Sequence, residues 1–348
     1  MPNEGIYRMP AEWERQKSTW IAWPHNKEDW PGKFSEIPLV FAEIITILSK
    51  VQSVNILVKN KLDQKAANFF LKILGAKIKN IKLIICKTDR AWVRDFLPIF
   101  LKDKRNRNVI SNWEFNGWAK YKNFKNDNRA YLKVKKFRKK IKIIKPNHLK
   151  KKIILEGGSI DVNGNGLILT TKQCLLSKIQ QRNKGYKIND YNQIFDKFFG
   201  VKKVIWLNKG IYGDDTHGHI DDIARFVSKN IIFIAKENNK KDKNYKNLKE
   251  NIEIIKEFKR VNKQKFKIVY LPMPEPKFID GIRVPASYLN FYIANKVVLV
   301  PSFDDINDRI VIKIFKKYFK NRKIIPINCS TLVWGLGTIH CMTQQEPI

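Results

Sequence analysis

Acidic residues are scarce in this chain: 32 Asp and Glu stand against 68 Lys and Arg in 348 residues, a formal net charge of +36. Cysteine is rarer still, at Cys86, Cys174, Cys329 and Cys341. No two of these form C-x-x-C, and none joins histidines at zinc-site spacing, which excludes the common structural zinc modules. So few thiols make no disulfide scaffold, and a reducing, cytoplasmic setting is expected. Cys86, Cys174 and Cys329 read as small buried hydrophobes. Long apolar runs are missing as well; nothing approaches the ~18 uninterrupted apolar residues of a membrane span. The opening "MPNEGIYRMPAEWERQ" has no apolar signal core. With no long Pro/Ser linker either, the expectation is one α/β domain over residues 1–348, built on mixed sheets.

The positive charge is spread along the chain. Its densest runs are 133–152 and 236–267, and the second carries Leu248, Ile252, Ile255 and Phe258 on one helical stripe. Lys, Ile and Asn share A/T-rich codons, so genome bias accounts for the excess, and no nucleic-acid reader motif accompanies it. Specific nucleic-acid binding is not expected.

Apolar spacing predicts helices over 37–51, 61–76 (stopping at Gly75) and 304–319, with Asp304 or Asp305 as the N-cap of the last. Short buried strands are predicted at 54–60, 80–86, 151–155, 202–207, 266–272 and 322–327. Hairpins are predicted to turn at residues 163–166 and 228–230.

The chemically unusual stretches each follow one of those strands: "TDRAWVRDF" (88–96), "EGGSIDVNGNG" (156–166), "GDDTHGHIDDIARF" (213–226), "PASYLNFY" (285–292) and "GLGTIHCMTQQ" (335–345). Asp95, Glu156 and His219 recur at intervals of about sixty residues, a spacing compatible with repeated supersecondary units. Five strand ends are therefore expected to converge on one site. Pooled there are a thiol (Cys341), an imidazole (His219) and the carboxylates of Asp95, Glu156 and Asp221, with Asp214 and Asp215 nearby.

A thiol with an imidazole points to covalent catalysis by a thiolate. So many acids suit a cationic substrate better than an acyl group. A guanidinium is planar, permanently charged, and presents N–H donors in a fork that matches carboxylates. Two aspartates could hold it while the thiolate adds to its carbon and an imidazolium protonates the departing nitrogen. Such a thiol is expected to alkylate below the free-thiol range of about 8.5. On an extended segment His219 and Asp221 share a face, and so does His217; spacing does not choose between the histidines. The H-x-H pair also admits a metal reading, although no third ligand has partner spacing. Asp214 and Asp215 could equally cap the turn before "HIDD". An inactive scaffold serving as a basic binding protein is the alternative of another class.

Together "MPAEWERQKSTWIAWPHN", "WVRDFLPIF", "EGGSIDVNGNG", "DTHGHIDDIARF", "SYLNFY" and "IHCMTQQEP" resemble the agmatine deiminase family, relatives of the bacterial peptidyl-arginine deiminases. The resemblance runs from residue 9 to the end. It implies a five-bladed α/β propeller of pseudo-repeated ββαβ units and a hydrolase that converts agmatine to N-carbamoylputrescine and ammonia for putrescine synthesis. Free or peptidyl arginine is the alternative substrate. It implies Cys341 as nucleophile, His219 rather than His217 as acid and base, and Glu156 as the partner of histidine or substrate. Asp95 and Asp221 would bind the guanidinium, with Trp92 and Trp118 lining the substrate channel and Asp215 a candidate for the substrate's far ammonium. No metal or organic cofactor is implied; the partner is a small guanidine, and a homo-oligomer is allowed. Leu336 departs from the family by interrupting the glycine run before the cysteine, which predicts a less open turn. The tail around Cys341 is expected to pack firmly.

Overall fold

The computed structural model describes residues 7–348; the first six residues of the stretch read for a signal core lie outside them. Two helices begin where a short polar side chain takes up a free backbone N–H group. The Asn60 side chain accepts from the N–H of Asp63 and opens helix Lys61–Ile73, which ends just before Gly75 at φ +68. Asp305 opens Ile306–Tyr318 in the same way, with Asp308 reaching back to the Asp305 N–H. In helix Tyr245–Val261 the predicted stripe faces inward: Leu248, Ile252 and Ile255 are buried and Phe258 packs against the core.

Among the described residues the strands form five mixed sheets of three or four strands and two small two-stranded ladders. A common pattern runs through the five. An antiparallel pair is followed by a helix and then by a strand parallel to the second member of the pair. In one sheet Asp161–Val162 pairs with Leu167–Thr171, and Lys203–Leu207 joins in parallel after helix Ile188–Phe199. Ala224–Ser228, Ile231–Lys236 and Lys267–Pro272 repeat this around helix Tyr245–Val261. Tyr292–Ile293, Val297–Ser302 and Lys323–Asn328 repeat it around Ile306–Tyr318. A fourth sheet runs in the order Tyr7–Arg8, Ile99–Asp103, Asn108–Ser111, Lys142–Ile144.

The fifth joins distant parts of the chain. Gln344–Pro347 lies antiparallel to Gln16–Ala22, which continues in parallel to Ser53–Val58 and Ile81–Ile85. Glu346 anchors the seam: its buried carboxylate accepts from Ser18 Oγ (2.7 Å), Trp20 Nε1 (3.0 Å) and Arg138 Nη2 (2.8 Å).

One expectation fails locally. Residues 151–155 are not a continuous buried strand: Lys151–Lys152 pair in a short ladder with Asn147–His148 and are exposed, and Ile154 makes an isolated parallel bridge with Glu114. Ile153 and Leu155 are buried because this segment crosses Glu114, whose backbone bonds to both. Among the described residues no helix is long and apolar enough to cross a membrane.

Candidate active site

The tail turns before it reaches the site. Leu332–Gly335 form a 3-10 turn, and Leu336 follows at φ +63. Leu336 thus takes up the left-handed conformation that glycine adopts freely, at a cost of about 1–2 kcal/mol. It does not close the turn over the thiol; it lines the same cavity as Cys341. Gly337 is required by proximity, since a Cβ there would sit 3.0 Å from Cys341 Cβ and 3.2 Å from its Sγ.

Asn290, from "SYLNFY", holds the nucleophile candidate. Its Oδ1 accepts the backbone N–H groups of His340 (3.0 Å) and Cys341 (3.2 Å), and its Nδ2 donates to Cys341 Sγ at 3.1 Å and to Asp222 Oδ1 at 3.0 Å. Asp221 Oδ2 lies 3.8 Å from the same sulfur. That oxygen is fixed by His340 Nδ1 at 2.6 Å, while His340 Nε2 faces Glu12 Oε2 at 2.8 Å. Glu12 is braced by Arg225 (3.1 Å) and Arg94 (3.4 Å). His340 is therefore committed to two carboxylates.

His219 lies against a different pair. Its Nδ1 is 3.8 Å from Asp95 Oδ1 and its Nε2 is 4.0 Å from Glu156 Oε2. Ile220–Asp222 is a 3-10 turn with His219 at its N-cap, so the extended alternation expected for His219 and Asp221 does not operate. Gly158 permits the approach of His219, because a Cβ there would lie 2.6 Å from its Nδ1. The Gly158 N–H also donates to Asp95 Oδ1 (3.0 Å), and Trp118 Nε1 donates to Asp95 Oδ2 (2.9 Å). Arg182 Nε donates to Glu156 Oε1 (2.9 Å), leaving Oε2 free to face the histidine.

These groups border a cavity of about 600 Å³ lined by Asp95, Trp92, Trp118, Asp215, Leu336 and Cys341, among others. Glu28, Asp29, Arg90 and Lys122 line it as well. Asp215 accepts from Tyr121 Oη (2.5 Å) and Lys120 Nζ (3.4 Å), whereas Asp214 caps the turn by accepting from Thr216 N (2.8 Å) and Gly218 N (2.7 Å). His217 stands apart, bonded to Ser177 Oγ at 3.0 Å. The H-x-H metal pair is not formed. Among the described residues, Glu156, Cys174 and His219 are the one group of three or more His, Cys, Asp or Glu side chains whose ligand atoms all lie within 4.8 Å of one another.

Burial and neighbouring charge set the ionisation. Burial raises Asp95 to about 6, assisted by Asp221 and Glu156 and opposed by His219 and the Trp118 hydrogen bond. Burial opposes the imidazolium of His219, yet Asp95, Cys174 and Asp221 outweigh it and hold His219 well above its ordinary value. Burial also raises the Cys341 thiol well above the usual range, and Asp221, Asp222 and Asp95 add to this against the pull of Asn290. The expectation of a thiol already activated in the free protein is thereby corrected: the acids that suit a cation also disfavour a thiolate.

A family profile described as Porphyromonas-type peptidyl-arginine deiminase matches residues 8–347. The chain belongs to this family. Within the peptidyl-arginine deiminase family, a Legionella pneumophila relative provisionally named agmatine deiminase is 31% identical, with 99% of this chain and 97% of the relative covered. A C. jejuni agmatine deiminase solved with substrate bound, and carrying a cysteine-to-serine change, superposes with a TM-score of 0.87 at 30% identity, covering 98% and 96% of the two chains. The Enterococcus faecalis agmatine deiminase superposes at 0.88 and 27%, with the same coverage. A saxitoxin-pathway amidinotransferase from Microseira wollei, at a TM-score of 0.52 and 14% identity, shares the mixed α/β fold.

Sequence reasoning did not single out Glu12, Asn290, Arg182 or the placement of Cys174 beside His219. Glu12 and Asn290 lay inside stretches noted only as wholes. Arg182 follows an undistinguished polar loop, and its partner is 26 positions earlier.

Proposed function

We propose that the protein hydrolyses agmatine to N-carbamoylputrescine and ammonia, supplying putrescine synthesis in the cytoplasm. The observation that carries this reading is the thiol of Cys341 facing a cavity beside Asp221, with Asp95 on the wall. Asp221 Oδ1 is buried without a protein hydrogen-bond partner. Buried polar atoms are rarely left unpaired, so a donor-rich, cationic ligand suits this acceptor.

In this reading Asp95 and Asp221 grip the guanidinium. Its positive charge offsets the acids that hold the thiol up, and Cys341 loses its proton to solvent through the cavity. The thiolate bonds to the guanidinium carbon. Imidazolium His219 gives its proton to one nitrogen, which leaves as ammonia. Neutral His219 then takes a proton from water as the oxygen adds to the same carbon, and the sulfur leaves as the ureido product forms. Glu156, held by Arg182, orients His219 and steadies its charge. Trp92 and Trp118 confine the alkyl chain. Glu28, Asp29 and Asp215 favour an ammonium at the outer end. The acids Glu28, Asp29, Asp95 and Asp215 on the wall outnumber Arg90 and Lys122, which favours a cationic ligand there despite the positive net charge.

The same reading makes the five sheets blades of a propeller about this site and residues 1–348 one catalytic domain. The recurring hairpin, helix and parallel strand support the first, and the pairing of Gln344–Pro347 with Gln16–Ala22 supports the second.

Lys122 on the cavity wall favours free or C-terminal arginine as a second substrate, because its ammonium would suit a carboxylate; Arg90 is already tied to Asp29 and Asn123. Agmatine, arginine and a C-terminal-arginine peptide at equal concentration, assayed for ureido product, separate these. Agmatine is expected to be turned over fastest, and Cys341→Ser to abolish turnover. No turnover of agmatine by the wild type removes the proposal.

A further inference from the structure

Cys174 makes and breaks no bond in the hydrolysis just described, yet it lies against His219 and is not simply a packed hydrophobe. Thr171 ends the strand Leu167–Thr171 and caps the short helix Lys172–Leu176, accepting the Cys174 N–H at 3.0 Å. Thr171 Oγ1 also donates to Gly218 O at 2.6 Å, tying this corner to the segment that carries His219. The thiol is thereby brought beside His219 and Glu156, and one ligand atom from each of the three lies within 4.8 Å of the others.

We propose that Glu156, Cys174 and His219 form an inhibitory site for a borderline-soft divalent metal of the zinc type. The donor set is one carboxylate oxygen, one thiolate and one imidazole nitrogen, the mixture that zinc accepts with three protein ligands and an open fourth position. A second observation points the same way. Glu156 Oε2 and both nitrogens of His219 are fully buried and lack a hydrogen-bond partner. Ideal zinc bonds of about 2.0–2.3 Å place ligand atoms roughly 3.3–3.8 Å apart in a tetrahedron. Glu156 Oε2 and His219 Nε2 already stand at 4.0 Å. Arg182 occupies the other oxygen of Glu156 and orients the carboxylate, as outer partners of metal ligands do. Cys174 would bind as thiolate, its proton passing to buffer, and His219 as the neutral ring. A metal there takes the imidazole that the hydrolysis needs, so occupancy stops turnover. That consequence rests on the function proposed above; metal binding itself does not.

The test uses the full chain, stripped with chelator and kept reduced. Cobalt(II) is added and the near-ultraviolet thiolate-to-cobalt charge-transfer band is read. The band is expected in the wild type and in Cys341→Ser, and absent from Cys174→Ser and Cys174→Ala, with folding of each checked by thermal melting. Zinc is expected to bleach it. No band in the wild type, or a band that survives in a folded Cys174 variant or vanishes in Cys341→Ser, overturns the site. Separately, zinc is expected to inhibit turnover, and Cys174→Ser to raise the half-inhibiting concentration about tenfold or more. An enzyme inactive on every guanidine would remove the proposed function while leaving the cobalt result standing.

Discussion

Asn290 Nδ2 donates to Cys341 Sγ at 3.1 Å while Asn290 Oδ1 accepts the Cys341 N–H at 3.2 Å, so one amide holds both the thiol and the backbone that carries it. Thr338 Oγ1 shares that oxygen at 2.9 Å. Asn290→Ala is expected to lower kcat about 10–100-fold, the size of a lost hydrogen bond to a charged group. Asn290→Asp should be worse, because it adds a negative charge beside the sulfur. Steady-state kinetics of both against wild type check this, and an unchanged kcat would remove Asn290 from the site.

Asp95, raised to about 6, gives the enzyme an acid limb. Its carboxylate form grips the cation, so kcat/KM for agmatine should fall as pH drops through about 6, which is where this free-enzyme group titrates. The Trp118 N–H favours the charged form. Trp118→Phe removes it and should move the limb to higher pH. A limb that stays in place contradicts the assignment.

Cys341 should alkylate slowly in the free protein. Burial and the Asp221, Asp222 and Asp95 charges raise the thiol, so the rate with iodoacetamide should keep climbing beyond pH about 8.5, the ordinary thiol value. Asp221→Asn takes away a negative charge and should shift the midpoint down. Mass mapping of Cys341 after timed labelling reads both; a wild-type midpoint below the ordinary value refutes the picture.

Glu346 should matter to stability far more than its position in the chain implies. Glu346→Ala leaves Ser18, Trp20 and Arg138 without their shared acceptor, and about 3 kcal/mol or more should be lost in urea unfolding. Truncation after Thr343 removes the strand and should abolish turnover.

The sequence made the regular elements legible where one face is apolar and a cap is present. Lys61–Ile73 and Ile306–Tyr318 follow from their periodicity and from Asn60 and Asp305. Strand Gln16–Ala22 was missed because it is buried along nearly its whole length and shows no alternation. Gln344–Pro347 was missed because its polar residues are satisfied only by distant partners, such as Ser18 and Trp20. In the site, Cys341, His219 and Asp95 were legible as unusual residues that fall after strands, and Glu156 as an unusual residue although residues 151–155 before it are not the strand expected. Asn290 and Arg182 were not, since an amide and a guanidinium become informative only once their partners, 51 and 26 positions away, are in place. The ionisation of Cys341 was misread for a related reason: the acids were counted for what they do to a substrate and not for what they do to the thiol.

The seam between Gln344–Pro347 and Gln16–Ala22 also sets an order of events during synthesis. The strand that completes this sheet leaves the ribosome after every other strand described, with Cys341 just ahead of it. The sheet cannot close, with Cys341 set beside Asp221 and Asn290, until Gln344–Pro347 has been made and has paired with Gln16–Ala22. Copies that stop short of Gln344 would lack this pairing and would leave the edge of Gln16–Ala22 uncovered.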